Sequence, residues 1–353
     1  MKIRIGIVGY GNLGMAAEKE ILKNRNYKLV AIFSRRNIKS VSNTLVEPFE
    51  NYILYKNKID VMLLCGSSNA DIMIHAPLFA EYFDTINTFD THKNILSLYK
   101  TITEICNKSN KRAIICAGWD PGIFSVIRGL FLAISKEPPI TFWGKGISLG
   151  HSDAIRSVDG VIDGVEFTIP NKAAVSRAKT GQNILNEQLH FRECYVYSND
   201  NHKEIEEKIM SIPNYFKGQP TKVNFVSNLK LIRLKKNLSH KGIVLSTFTS
   251  NSGKTKLSFS VQMKSNPEFT AKIMVCYISA INNLKANKNT GAFTPLDIPI
   301  SYLFTKADKE NLLTQICWHL LFTIITFSDK IWYYKDARNL CYTKSPNTIL
   351  AKQ

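Results

Sequence analysis

Over the first 120 positions the apolar residues fall in short, nearly unbroken runs. Ile3–Val8, Lys28–Phe33 and Val61–Cys65 are such blocks, and Thr85–Thr88 and Ala113–Ala117 continue the series. Between them Met15–Lys23, Ile72–Tyr82 and about Asn94–Lys108 mix apolar and polar positions as helices do. Unbroken apolar strands bury both faces, so their alternation with helices predicts a parallel sheet covered on both sides. After Asp120-Pro121-Gly122 the rhythm changes. Ile123–Ser135 reads as a helix, followed by strands with alternating faces at Val165–Ile169, Phe191–Tyr197, Thr221–Val226, Ile243–Phe248 and Lys256–Met263. A lysine-rich stretch, Leu229–Lys241, is read as a loop, and Thr270–Asn287 as a further helix. The expected fold class is therefore α/β. Residues 1–120 form the parallel-sheet domain, and 121–290 form an α+β region with a mainly antiparallel sheet. Residues near 290–316 are expected to pack back on the first domain, and 317–353 to form an atypical, poorly ordered extension.

Composition narrows the class. A chain of 353 residues exceeds one ordinary core, and 44% hydrophobic with 21% charged residues is a soluble globular balance. No run approaches the ~18 apolar residues of a membrane span, and the chain opens directly on strand-like sequence without a signal peptide. Cys65, Cys106, Cys116, Cys194, Cys276, Cys317 and Cys341 are scattered, without metal-ligand spacing, so reduced thiols, no metal and a cytoplasmic setting are expected. The net charge of +18 comes from lysines dispersed among asparagines rather than clustered. That pattern favours a solvated basic surface that attracts anionic small molecules over a nucleic-acid interface.

Candidate chemistry starts at Gly9-Tyr10-Gly11-Asn12-Leu13-Gly14, which follows the first strand and opens a helix. In that context Gly9 permits the tight turn, Gly11 the approach of a pyrophosphate and Gly14 close helix–strand packing, as in a Rossmann dinucleotide-binding domain. Anions are favoured by the free N–H groups of the helix N-terminus. The second strand ends in Ser34-Arg35-Arg36, where an NAD site would carry an acid for the ribose hydroxyl. Two guanidiniums suit a 2′-phosphate, so NADP is the expected cofactor. Asn87–His92 and Ala117–Gly122 bring Asp90 and Asp120 to the carboxyl edge of the sheet, where a cationic amine could be met.

GYGNLG, IFSRR, FDTH, GWDPGIFS, TFWGKGIS, GHSDA, SNPEFTA and TGAFT, in this order, resemble the meso-diaminopimelate dehydrogenase family over about residues 1–305. The resemblance implies NADP-dependent oxidative deamination of the D-centre of meso-2,6-diaminopimelate in a homodimeric enzyme of lysine and peptidoglycan-precursor synthesis. It also implies a second region that binds substrate and forms the dimer. Cofactor contacts are expected from Gly9, Gly11, Asn12, Leu13, Gly14, Ser34, Arg35 and Arg36, and from Cys65, Gly66, Ser67, Ser68, Thr91, His92, Asp120, Pro121 and Gly122. Position by position, the resemblance puts Asp90 and Asp120 at the reacting D-amino end and Trp143 over the substrate. The turn around Leu149, Gly150, His151 and Ser152 is placed at the D-carboxylate, and Thr168, Arg192, His240 and Asn266 at the distal L-centre. A guanidinium at 192 suits a carboxylate, and Asn266 before Pro267 suits a turn-held donor.

The chain departs from the family pattern at Leu149, where glutamine is usual, at Ser-His-Lys-Gly around His240, where the usual run is glycine-rich, and beyond Leu312–Cys317, where the family pattern ends. Another NADP-dependent amino-acid dehydrogenase, a dihydrodipicolinate reductase-like enzyme and a non-catalytic NADPH sensor remain alternatives at this point.

Overall fold

The computed structural model describes Lys2–Phe304 apart from Asn214, and three strands further on, Ile325–Phe327, Lys330–Tyr334 and Cys341–Thr343. It divides into two compact units, Met1–Pro299 and Ile300–Gln353. In the second unit the three strands pair antiparallel in chain order. The rest of the expected extension at 317–353 lies outside the described residues. Among the described residues no helix is long and apolar enough to cross a membrane.

The first unit begins with β1 (Ile3–Val8), α1 (Asn12–Leu22), β2 (Tyr27–Ser34), β3 (Val46–Pro48), β4 (Val61–Leu64), α2 (Met73–Ala80), β5 (Asp84–Asn87), α3 (Ile95–Ser109) and β6 (Arg112–Ile114). All of these strands run parallel, with β1 between β2 and β4. Leaving β1, the chain builds one side of the sheet through β2 and β3, then crosses to the other side at β4. A crevice opens at such a reversal, just past the carboxyl ends of the strands. β4 is buried at every residue, and Phe33, Leu64, Phe79, Phe83, Phe89 and Ile115 pack in one cluster against the sheet. Both faces are covered, which is why these strands read as continuous apolar runs.

Helix α4 (Ile123–Ser135) leads into the second region. There follow β7 (Ile140–Trp143), β8 (Gly146–Ser148), α5 (Leu149–Arg156), β9 (Asp163–Pro170), α6 (Lys172–Lys179), β10 (His190–Tyr197), α7 (His202–Ser211), β11 (Thr221–Phe225), α8 (Asn228–Lys235), β12 (His240–Ser250) and β13 (Gly253–Met263). They form two sheets rather than the single one expected. One has the order β11-β10-β9-β8, antiparallel except for β10 and β11, which run parallel with α7 between them in sequence. The other is the antiparallel β13-β12-β7. The lysine-rich stretch expected as a loop holds helix α8. Leu231 is fully buried and Leu234 packs with it against Val165 and Phe167, while the Ser227 hydroxyl accepts from the Lys230 N–H and caps the start. The lysines hid a leucine pair at helical spacing.

α9 (Asn266–Ala286) was expected in the second region, yet it packs along α1 and against β4, β5 and β6. Ser265 caps it and Pro267 occupies its first turn, where a missing N–H costs nothing. Then β14 (Gly291–Phe293) pairs parallel with β6, Gly291 opposite Arg112 and Phe293 opposite Ile114, as the seventh strand of the first sheet. Thus residues 123–263 are an insertion within the nucleotide-type sheet.

Candidate active site

A cleft of about 390 Å³ opens at the crevice predicted by the strand order. Its floor comes from Gly11, Asn12 and Leu13 after β1, Cys65, Gly66, Ser67 and Ser68 after β4, Thr88 and Asp90 after β5, and Gly118–Pro121 after β6. Ile147, Leu149, Gly150 and Asp153 form the facing wall, and Leu238–His240 with Asn266, Pro267 and Thr270 close one side. Of the expected cofactor and substrate residues, the structure therefore gathers Gly11, Asn12, Leu13, Cys65, Gly66, Ser67, Ser68, Asp90, Asp120, Pro121, Leu149, Gly150, His240 and Asn266 on one cavity. Gly9, Gly14, Ser34, Arg35, Arg36, Thr91, His92, Gly122, Trp143, His151, Ser152, Thr168 and Arg192 lie off its surface.

The turn after β1 has the geometry a dinucleotide requires. Gly9 sits at φ +87°, and a Cβ on Gly14 would lie 2.2 Å from the Gly9 carbonyl oxygen, so neither position accepts a side chain. Nothing lies within 4 Å of the place a Gly11 side chain would occupy, and Gly11 offers α1 no side-chain cap. The first N–H groups of α1 are left for an anion. At the end of β2, Arg36 donates to the Tyr10 carbonyl (3.3 Å) and is braced by Ser34, whose hydroxyl accepts from its N–H at 3.0 Å. Arg35 pairs with Asp71 at 2.7 Å, while Asp71 also accepts from the Ser67 N–H at 2.8 Å.

Behind this strand end lies a residue the sequence gave no reason to single out. Glu18 of α1 is fully buried, accepting from the hydroxyls of Tyr10, Ser40 and Ser42 and from the Val41 and Ser42 N–H groups. Burial pushes its carboxyl up, but these donors outweigh it and leave it below the usual carboxylate range. The ionised side chain ties the segment after Arg36 to α1.

Asp120 and Asp90 differ in company. Asp120 accepts both guanidinium nitrogens of Arg128 (2.6 and 3.0 Å) and the Trp143 indole N–H (2.6 Å). Trp143, expected over the substrate, stacks on His190 at 5.2 Å and donates its main-chain N–H to His190 Nε2 at 2.8 Å. Burial, aided by Arg192, lowers His190 to about 3, so the ring is neutral and that nitrogen accepts. Among the described residues Asp90 has no such ion pair. Asp90 opens to solvent, but the cleft walls around it push its carboxyl above the ordinary value by desolvation, and Asp153 adds to this, against the Ser68 hydroxyl and His92. Arg128 had a signal in the sequence, being the one charged residue in the apolar helix Ile123–Ser135.

The segment expected as a turn at 149–152 is the first turn of α5, uncapped at Ser148, with Gly150 on the cleft wall. The buried Ser152 hydroxyl is used internally, donating to the Ser148 carbonyl (2.6 Å) and accepting from the Glu166 N–H (3.0 Å). His151, half-buried and lowered to about 3 chiefly by desolvation, bonds Ser148 through Nδ1 at 2.9 Å. Asn266 likewise opens α9 rather than a turn, accepting from the Thr270 hydroxyl at 3.0 Å. His240 stands at the start of β12, not in a loop; it is buried with its ring 4.9 Å from Trp119. Beside it, across Gly146, lie Thr168 and Arg192. Arg192 donates to the Thr168 hydroxyl at 2.6 Å and faces the fully buried Glu166 at 3.6 Å.

A parallel sheet with a glycine-rich turn at its crevice, a basic end to β2 and an inserted region facing the cleft define a Rossmann-type oxidoreductase with its own substrate-binding region. Residues 118–265 match the family model described as the diaminopimelic acid dehydrogenase C-terminal domain. The meso-diaminopimelate D-dehydrogenase of Ureibacillus thermosphaericus is 41% identical over 318 residues, covering 88% of this chain and 98% of that one. Among solved structures, a Corynebacterium glutamicum DAP dehydrogenase in complex with DAP superposes with a TM-score of 0.85 at 33% identity, over 89% of this chain and 99% of its own. An engineered D-amino acid dehydrogenase bound to NADP+ gives 0.83 at 32%, over 90% and 100%. The chain belongs to the meso-diaminopimelate dehydrogenase family.

Proposed function

We propose that this protein catalyses the NADP-dependent oxidative deamination of the D-centre of meso-2,6-diaminopimelate. Ammonia and L-2-amino-6-oxopimelate, which cyclises to tetrahydrodipicolinate, are the products. The observation that carries the reading is the single cleft in which a dinucleotide turn, two carboxylates and the first turns of α5 and α9 converge, within a chain of this family. Gly11, Asn12 and Leu13 with the α1 N-terminus hold the pyrophosphate, and Ser34, Arg35 and Arg36 the 2′-phosphate. The turn glycines Gly9 and Gly14 shape that cradle. Cys65, Gly66, Ser67, Ser68, Thr91, His92, Pro121 and Gly122 border the remainder of the dinucleotide. When bound, NADP supplies the hydride acceptor.

The protein's own part is to orient the amine and move its proton. A carbon bearing an ammonium cannot release hydride, because the nitrogen lone pair must form the imine. Asp120, fixed by Arg128 and Trp143, anchors the ammonium as a charge. Asp90, in no ion pair among the described residues and raised by desolvation, is the better base. Water then adds to the imine and ammonia leaves. The D-carboxylate meets the α5 N-terminus at Gly150, with Leu149, His151 and Ser152 shaping that end. Thr168, Arg192, His240 and Asn266 serve the distal L-centre. The division of labour is a nucleotide-binding part, 1–120, joined by α9 and β14, and an inserted region that binds substrate and forms a homodimer. The enzyme works in the cytoplasm in lysine and peptidoglycan-precursor synthesis, and the reaction is reversible. NADPH formation on mixing the protein with NADP and meso-diaminopimelate tests the proposal. Failure of that isomer, with turnover of a different amino acid, would replace it.

A further inference from the structure

The polar core behind the distal wall contains one group to which the reaction assigns nothing. Glu166, in the middle of β9, is completely buried. Its two carboxyl oxygens lie 3.1 Å from the Thr168 hydroxyl, and Oε1 is 3.6 Å from Arg192. The Arg192 side chain keeps 12% of its surface open, donates one N–H to that same hydroxyl, and holds a buried Nε with no hydrogen-bond partner among the described residues. A guanidinium offers five donors, and this one uses few of them within the protein.

Given the reading that Arg192 meets the substrate's distal carboxylate, we propose that Glu166 is a positioning residue that competes with that carboxylate for Arg192, so that its protonation sets the affinity for a dicarboxylate substrate. An ionised Glu166 neutralises Arg192 and places a second negative charge beside the arriving carboxylate. A protonated Glu166 keeps the Thr168 hydrogen bond while leaving the guanidinium's charge to the substrate. Burial pushes the Glu166 carboxyl up to about 7, against the pull of Arg192 and Thr168, which brings the change into the working range of pH. The other ionisable groups around the pair are fixed there. His151 on α5 and His190 on β10 are held neutral with values near 3, the Cys194 thiol on β10 is pushed far up, and beside His151 the Ser152 hydroxyl accepts the Glu166 N–H. Substrate binding therefore takes up a proton above the Glu166 value.

The test uses the whole protein with saturating NADP and meso-diaminopimelate, comparing the unmodified chain with Glu166→Gln between pH 6 and 9.5. Glutamine keeps the acceptor for Thr168 and removes the charge. The ratio of the two Michaelis constants, unmodified over variant, should rise with pH above about 7 and approach roughly tenfold per unit at the limit. The KM for NADP should not move. A flat ratio overturns the inference. Independently of any variant's folding, calorimetry of substrate binding to the unmodified NADPH complex at pH 8.5 in two buffers should show proton uptake; none would equally overturn it. Arg192→Met separates this from the underlying reading. If that variant keeps an unchanged KM for substrate, the distal assignment itself fails. If KM rises while the Glu166→Gln ratio stays flat, only the role of Glu166 fails.

Discussion

Arg35 and Arg36 leave β2 in different company, one paired with Asp71 and the other bridged to the Tyr10 carbonyl. Replacing both with glutamine should raise the KM for NADP by at least about tenfold and leave that for NAD little changed, because a charge-assisted contact contributes about 1.5–3 kcal/mol. Equal use of the two cofactors by the unmodified protein would refute the assignment. Asp90 and Asp120 looked alike in sequence, each an acid past a strand end. Only the structure separates them, since Arg128 reaches Asp120 from another element. Asp90→Asn should therefore cost kcat more than KM and remove the acid limb of the kcat/KM profile. A base works only when deprotonated, so in the unmodified protein activity falls as pH drops through the Asp90 value. Its upward shift places that fall above the pH where an ordinary aspartate titrates; an unchanged limb in the variant would exclude Asp90. Leu149, 61% exposed on the cleft wall, presents apolar surface where the family usually carries an amide. Slow turnover of D-leucine or D-alanine is expected, and Leu149→Gln should diminish it; equal rates in both proteins would deny this residue a part in specificity.

At the scale of elements, legibility followed continuity of pattern. The helix at Ile123–Ser135 and strand β1 stand where apolar spacing put them, and the glycine turn between β1 and α1 was readable because its chemistry is local. β7 and β8, of four and three residues, are too short to carry a period, and β7 is fixed by pairing with β12, far along the chain. Distance in sequence also hid the settings of Glu18 and Glu166, since the Ser40 and Ser42 hydroxyls reach the first and the Arg192 guanidinium the second from other segments. Helix α8 was obscured differently, by lysines at 230, 235 and 236 around its buried leucine. Leu231→Ala should lower stability by about 2–5 kcal/mol, the usual range for a buried leucine truncation, measurable by urea unfolding. A change below about 0.5 kcal/mol would mean that α8 is not anchored by that side chain.

For the molecule as a whole, the dispersed positive charge of +18 fits a protein whose dinucleotide cofactor is anionic, since a basic field raises its local concentration without fixing a binding mode. The order in which the chain builds its first sheet has a further consequence. β6 ends at Ile114 and its neighbour β14 begins only at Gly291, with α9 also arriving after the whole insertion. The sheet that receives the dinucleotide thus depends on sequence made long after its first six strands. During synthesis that pairing cannot form until the whole insertion has been made, and contacts so distant in sequence are slow to close. Nascent chains halted near Ser265 should fail to stay on an immobilised NADP analogue that retains those carried past Phe293. The enzyme would then gain its cofactor as one of its last acts of assembly, with the substrate region already in place.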